Sequence, residues 1–244
     1  MALQTALADV TTAPSHATAP SHAQSLRSDA TDTLQLSPEL AELVPGGCLR
    51  PGGSIRIGAG VGHTSLLFRL ISEPLARGAW AVIMGLPDIN AHAAVECGVA
   101  IERLVLIPNP GTSWLEVTAA LLDAVDLVVV NPPHSCRPTD ARRLLARARQ
   151  RRSVLILTAG NSSDSSNEAI TRRVWPEPPD LVFTATGSRW QGLERGHGCL
   201  TSGAITVTAS GRRLNGPISS CNLNLSQKSG SGQPFPPVTA TGIR

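Results

Sequence analysis

Several residue types are scarce in this chain of 244 residues, and each shortage narrows what the chain can be. Tyrosine is absent and aromatic residues make up only 3%, so leucine, valine, isoleucine and alanine must build the core. No apolar run approaches the roughly 20 residues that cross a bilayer, and the N-terminus lacks the basic start and apolar stretch of a signal peptide. We therefore expect a cytoplasmic protein.

Charge and cysteine are also sparse. The formal net charge of +3 is small for this length, whereas a general nucleic-acid binder usually carries a stronger or more concentrated basic excess. The five cysteines are widely spaced and form no C-x-x-C pair, which argues against a zinc or redox site and favours free thiols. No hydrolase-type catalytic triad can be assembled from the sequence, so we predict no hydrolase chemistry. We also predict no metal site and no bound cofactor.

The sequence divides into three parts by composition. Residues 1–36 are rich in Ala, Thr, Ser, Pro and His, and residues 218–244 are dominated by Ser, Gly, Pro, Asn and Gln. Both compositions bury too little apolar surface to offset the entropy of ordering. A flexible N-terminal arm and a disordered C-terminal tail are predicted, with one folded core over residues 37–217.

Short apolar runs alternate with amphipathic patterns in this core. Such runs are typical of strands buried in a parallel sheet, and the longer patterns are typical of the helices that connect them. We predict a doubly wound α/β fold, a mostly parallel sheet flanked by helices. Runs 181–186 and 204–209 predict antiparallel edge strands joined by the glycine-rich residues 187–203. The other predicted strands are 55–57, 80–84, 104–107, 127–130 and 154–157, and the predicted helices are 65–77, 91–98, 114–124 and 139–150.

A glycine-rich loop follows the first strand and opens a helix, which is the placement of a phosphate-binding loop. Such loops aim backbone N–H groups at phosphate, while a Lys reaches the terminal phosphates and a Ser or Thr holds magnesium. Here His63 stands at the Lys position, the loop is one residue short, and the chain's only lysine is Lys228 in the tail. Residual phosphate binding and a plain strand-to-helix turn both stay open. The candidate loop residues are Gly58, Gly60, Gly62, His63, Thr64 and Ser65.

A second position lacks the charge that nucleotide chemistry requires. Asn131 ends the fourth strand, where ATPases of this type carry an Asp that organises the water around magnesium. An amide has no negative charge. Asp126, at the other end of the same strand, is about 17 Å away and cannot replace it.

The order and spacing of these features resemble the RecA recombinase core over residues 40–211. In RecA-like ATPases the catalytic Glu follows the second strand, where this chain has Leu86, and its nearest carboxylate is Asp88. The fifth strand of that family ends in a polar sensor of the γ-phosphate, whereas the corresponding strand here runs into Thr158-Ala159-Gly160. The resemblance therefore implies a RecA-like fold with a degenerate ATP site. It is carried by residues 45–47, Gly53, 62–64, 77–83, 98–104 and 125–130.

A RecA-like chain with an eroded ATP site and no recombinase-type N-terminal oligomerisation module resembles the actinobacterial ImuA-type accessory proteins. The resemblance implies a pseudo-ATPase adaptor in SOS-induced translesion DNA synthesis and mutagenesis after DNA damage. The partners it implies are ImuB, an inactive Y-family polymerase homologue, and an error-prone replicative-type DNA polymerase. RecA and DNA are further candidate partners. The alternative is an ATP- and DNA-binding RecA-type recombinase or DNA-repair regulator.

An arginine-rich helix over residues 139–152 is the main candidate for partner or DNA contact. Arginine pairs bidentately with carboxylate and phosphate, so either partner fits, and a solvated helix face is the alternative. Like charges this close repel unless solvent or an anionic surface relieves them. The six residues are Arg142, Arg143, Arg147, Arg149, Arg151 and Arg152.

Two further segments have some features of a contact site. Trp190 lies between arginines in a glycine-rich stretch and is a candidate anchor for a base or partner, with packing at the sheet edge as the alternative. His197 has no neighbouring ligands and is not predicted to bind metal. Residues 161–168 stand where RecA has a DNA-binding loop, but they are acidic and argue against single-strand binding there.

Overall fold

The structure is a computed structural model, and it describes most of the predicted core. The described residues are 34–158, 174–194, 197–212, 214 and 219–224, with the backbone alone for residues 188, 190–194 and 197–202. The strands are β1 (Leu34–Gln35), β2 (Cys48–Leu49), β3 (Ser54–Ile57), β4 (Ala81–Met84), β5 (Leu104–Ile107), β6 (Leu127–Val130), β7 (Val154–Thr158), β8 (Leu181–Glu194), β9 (His197–Ser210) and β10 (Ser219–Asn224). The α-helices are α1 (Pro38–Ala41), α2 (His63–Ala76), α3 (Ala91–Glu96), α4 (Trp114–Ala124) and α5 (Pro138–Arg151).

An eight-stranded mixed sheet forms the centre of the fold. Its strand order is β10-β9-β8-β3-β7-β6-β4-β5. The strands from β8 to β5 pair in parallel, and β9 runs antiparallel to both of its neighbours. This confirms the predicted doubly wound, mostly parallel sheet with antiparallel pairing near one edge.

Helices cover both faces of this sheet because its central strands are apolar on both sides. On one face, Leu66 and Leu70 of α2 pack with Ile55 and Ile57 of β3. On the other, α4 and α5 bury a second core that includes Trp114, Leu122, Leu145, Val128 and Leu155. Fully buried parallel strands of this kind read as continuous apolar runs, which is why the sequence located them.

The strands β8 and β9 form a hairpin much longer than predicted. Residues 187–203, expected to connect two short strands, lie mostly within the strands, and their backbones pair from Ser188↔Ile205 to Glu194↔His197 with two register shifts. The prediction was wrong because the ladder bonds come from the backbone of the opposite strand, so glycine and polar residues do not end it.

Both predicted boundaries of the core also need correction. Leu34 and Leu36, assigned to the flexible arm, are buried, and Leu34 pairs with Leu49 in a two-stranded sheet. Residues 219–224, assigned to the tail, form β10, whose Leu223 is buried. The rest of the arm and tail, residues 1–33 and 225–244, lies outside the described residues. Among the residues that are described, no helix is long and apolar enough to span a membrane.

Candidate functional site

The predicted nucleotide site is brought together at the carboxyl edge of the sheet. His63 and Thr64 begin α2, Leu86 and Asp88 follow β4, and Asn131 follows β6, and all five line one small pocket. Parallel strands place their carboxyl ends at one edge, which is where ligands of open α/β sheets bind. These five residues, which come from separate segments of the sequence, therefore lie together in the structure.

His63 closes this pocket from inside. Its side chain is buried, and Nδ1 donates a hydrogen bond to the carbonyl oxygen of Gly60 at 3.1 Å. Because a carbonyl only accepts, we assign the proton to Nδ1, which leaves Nε2 to accept from the Thr64 hydroxyl at 3.3 Å. The residue at the lysine position thus binds the loop itself, and it also engages the hydroxyl that would hold magnesium.

The loop backbone is folded inward as well. The amide of His63 donates to the Gly60 carbonyl at 3.2 Å, so this N–H is not free for a phosphate. Gly62 caps α2 with φ 92°, and a β-carbon there would come within 2.7 Å of Cγ2 of the buried Ile205 on β9. Gly58 donates its amide to the Phe183 carbonyl of β8 at 2.8 Å. The loop is therefore packed against the hairpin rather than wrapped around an open cradle.

Asn131 has a structural bond that an aspartate could not make. Its Nδ2 donates to the carbonyl oxygen of Gly85 at 2.9 Å, and its backbone N–H donates to Met84 at 2.9 Å. These bonds tie the ends of β6 and β4 together. A carboxylate at this position has no proton to give and would face the Gly85 oxygen with like charge. The Asn131 amide thus carries no charge for a metal ion, and it makes a hydrogen bond that links two strand ends.

The pocket that remains is small for a ligand site. The pocket measures about 90 Å³, whereas sites for small organic ligands occupy about 300–1,000 Å³. Asp88 is its single charged lining residue among those described, and it is a carboxylate that would repel phosphate. Nowhere in the described ranges do three or more metal-binding side chains cluster.

Other predicted residues of this region have more ordinary surroundings. Ser65 is half-buried on α2, and Gly60 and Val61 are exposed at the tip of the loop. Thr158 is buried at the end of β7 beside Ile57, and its hydroxyl has no hydrogen-bond partner among the described residues. Lys228 lies outside the described residues.

Several arginines of α5 pair with the protein's own carboxylates. Asp123 of α4 accepts hydrogen bonds from Nε and Nη2 of Arg147 and from Nε of Arg151, and Arg142 pairs with Glu177 at 2.9 Å. Carboxylates of the chain itself therefore relieve part of the repulsion expected within this cluster. Arg143 approaches Asp140 only at 4.0 Å, and Arg149 and Arg152 are exposed at the C-terminal end of the helix.

Asp123 is the acidic residue that sequence reasoning missed. The hydrogen bond from Arg147 lowers the pKa of its carboxyl below the usual value, with the charges of Arg147 and Arg151 acting in the same direction. Asp123 and Arg147 are 24 positions apart on different helices, so no local spacing pointed to the pair.

A groove of about 550 Å³ lies beside this ion-pair cluster, between α4 and α5. Leu115, Glu116 and Ala119 line it from α4, and Arg143 and Leu144 are among the α5 residues that face them. No pattern in the sequence indicated a cleft here, because its width depends on how two separate helices sit on the sheet.

Two other candidate segments lie partly or wholly outside the described residues. Trp190 lies in β8 and His197 in β9, and their side chains fall outside the described part of the chain. Residues 161–168 also fall outside it. The Trp190 assignment therefore stays a prediction.

The thiols that are described match ordinary core and surface cysteines. Cys136 is buried, which raises the pKa of its thiol to about 11, with Asp140 adding to the shift. Burial also raises the pKa values of Cys97 and Cys221. A thiol with a raised pKa is a poor nucleophile at neutral pH, so none of these three is a candidate catalytic residue.

The chain is similar to a protein family, to a mycobacterial protein and to a solved structure. The sequence profile described as "MT3502 N-terminal domain" matches residues 42–163, half of the chain. The uncharacterized protein Rv3395c of Mycobacterium tuberculosis is 40% identical over 134 residues, which are 54% of this chain and 64% of that protein. The match thus spans less than two thirds of the relative. A crystal structure of the RadB recombinase has a TM-score of 0.49 at 14% identity, covering 75% of this chain and 92% of that one.

Proposed function

The chain belongs to the MT3502 N-terminal domain family, and from that premise and the geometry of the closed pocket we propose that it is a non-catalytic RecA-like adaptor. It acts by binding partners and does not turn over ATP. The proposal has two parts, the loss of nucleotide chemistry and the identity of the partners, and they have different support.

The loss of nucleotide chemistry is carried by one observation, the two hydrogen bonds of His63. They engage the Gly60 carbonyl and the Thr64 hydroxyl within a pocket of about 90 Å³. Phosphoryl transfer depends on fixed positive charge and magnesium at the transferred phosphate. His63, Leu86 and Asn131 supply neither, so an ATPase would have to rebuild all three positions.

The identity of the partners rests on the resemblance to ImuA-type accessory proteins. We propose that the protein acts in the cytoplasm, in SOS-induced translesion synthesis, beside an ImuB-type inactive Y-family polymerase homologue and an error-prone replicative-type polymerase. RecA and DNA are secondary candidates. The paired arginines of α5 favour protein over DNA, because Arg142, Arg147 and Arg151 already contact carboxylates of this chain.

The test is capture of the purified ImuB-type homologue by the purified full-length protein. We expect the same capture with and without magnesium and ATP, because the adaptor does not use nucleotide. Failure to capture the homologue would remove the partner assignment. ATP-dependent binding to single-stranded DNA would favour a recombinase instead.

A further inference from the structure

The groove between α4 and α5 has a definite direction and length. Asp123, near the end of α4, pairs with Arg147 and Arg151, near the end of α5, so the two helices run side by side in the same direction. The α5 wall extends from Asp140 to Gln150. At a rise of 1.5 Å per residue this is about 15 Å, or nearly three turns of a helix.

The floor of the groove is apolar. Leu115 and Ala119 of α4 meet Leu144 of α5, and Leu144 is buried beneath the groove. Ala119 and Ala146 are small, which leaves room above them. An open channel between two parallel helices, with aliphatic and small residues at its base, fits the ridge of a third helix.

The two walls carry opposite charges. Glu116 on α4 is exposed and makes no ion pair with any described residue. Arg143 on α5 has a side chain 85% exposed, and the described carboxylate nearest to it is Asp140 at 4.0 Å. Arg147, by contrast, is held by Asp123. One acidic and one basic side chain thus remain available to an occupant on opposite sides of the apolar floor.

We propose that this groove docks an amphipathic helix of the partner protein. The apolar stripe of that helix rests on Leu115, Ala119 and Leu144, an acidic residue on one flank meets Arg143, and a basic residue on the other meets Glu116. DNA fits less well, because Glu116 and Asp140 would face its phosphates. The inference rests on the proposed function and adds to it the binding surface and the chemistry of the bound segment.

The first test fills the groove and leaves the rest of α4 unchanged. Ala119→Trp places an indole in the channel, whereas Ala120→Trp places the same side chain on the adjacent exposed position outside it. With the purified ImuB-type homologue as probe, we expect Ala119→Trp to weaken binding about tenfold or more, as at an interface hot spot. Ala120→Trp should stay within about twofold of the original protein.

The second test uses charge, so it does not depend on how well the core accepts a tryptophan. Arg143→Glu reverses the α5 wall, and Arg50→Glu makes the same change on an exposed residue that neither lines the groove nor belongs to the six candidate contact residues. We expect only Arg143→Glu to weaken capture, by about threefold to tenfold. Circular dichroism melts of all four variants establish that they are folded.

The outcomes separate this inference from the function on which it rests. Capture by the original protein with equal losses in groove and control variants overturns the groove and leaves the adaptor role intact. Loss of single-strand DNA binding in Arg143→Glu with undiminished capture of the homologue overturns it in favour of DNA. No capture by the original protein overturns both proposals.

Discussion

The pocket at the carboxyl edge of the sheet and the groove between α4 and α5 differ in what the sequence revealed and in what the structure offers. The pocket carries a recognisable motif, and its residues do converge, but it encloses about 90 Å³. The groove carries no motif and measures about 550 Å³. The larger of these two cavities therefore lies away from the site that the sequence motif predicts.

The difference has a physical cause in how each region uses its polar groups. In the pocket, His63, Thr64 and Asn131 direct their hydrogen bonds to one another or to the loops around them. In the groove, Glu116 and Arg143 stand exposed on opposite walls. A polar group that is already satisfied internally strengthens the fold, and one that remains exposed is available to a partner.

The largest loss of stability is expected from adding a β-carbon at Gly62, in the loop beside the pocket. Gly62→Ala requires a left-handed φ of 92° and brings a methyl group to within 2.7 Å of Ile205. Strain and overpacking together should lower the free energy of unfolding by about 2–4 kcal/mol in a denaturant titration. Gly111→Ala is the control, because it has φ 67° but nothing within 4 Å, and should cost only about 1–2 kcal/mol. Equal losses at the two glycines would show that the loop is not packed against β9.

A smaller effect is expected from restoring the ATPase residue at the end of β6. Asn131→Asp removes the donor to Gly85 and sets a carboxylate against its oxygen, so the free energy of unfolding should fall by about 1–3 kcal/mol. Asn131→Ala, which removes the bond without adding charge, should cost less. An aspartate variant more stable than the alanine variant would mean that position 131 is not fixed by this hydrogen bond.

The smallest effect is expected beside the groove, at Asp123. Asp123→Asn should lower the free energy of unfolding by about 1 kcal/mol or less at neutral pH, since the ion pairs with Arg147 and Arg151 are partly exposed. The pKa of Asp123 is lower in the folded state, so its contribution is complete above the ordinary value of about 4 and is lost as the pH falls below it. The original protein and the variant should therefore converge in stability under acid. A gap that persists or widens at a pH well below 4, where the carboxyl is protonated in the folded state too, would contradict the role given to Asp123.

Much of the fold could be predicted, because the central strands are buried on both faces and read as continuous apolar runs. The long hairpin strands β8 and β9 could be predicted only in part, and the edge strand β10 could not be predicted. In β9 only alternate residues such as Ile205 and Val207 are buried, and in β10 the sole buried residue is Leu223. Strands so polar are stabilised by backbone pairing with their neighbours, which leaves little trace in composition.

The residues that form the candidate site could be predicted from the sequence. The hydrogen bonds that close it could not. The chain order of His63, Leu86 and Asn131 placed them at strand ends, and parallel pairing brought those ends together. That His63 would turn inward onto Gly60, and that Asp123 would meet Arg147 across two helices, depends on distances that no spacing in the chain encodes.

Phosphate release from ATP tests the central claim most directly. The purified full-length protein is incubated with magnesium and ATP, with and without single-stranded DNA, and free phosphate is followed over time. The closed pocket predicts turnover below about 0.1 per second in both cases, since phosphoryl-transfer enzymes typically reach ~1–100 per second. Turnover at or above about 0.1 per second would show that the pocket opens to a working nucleotide site and would contradict the account.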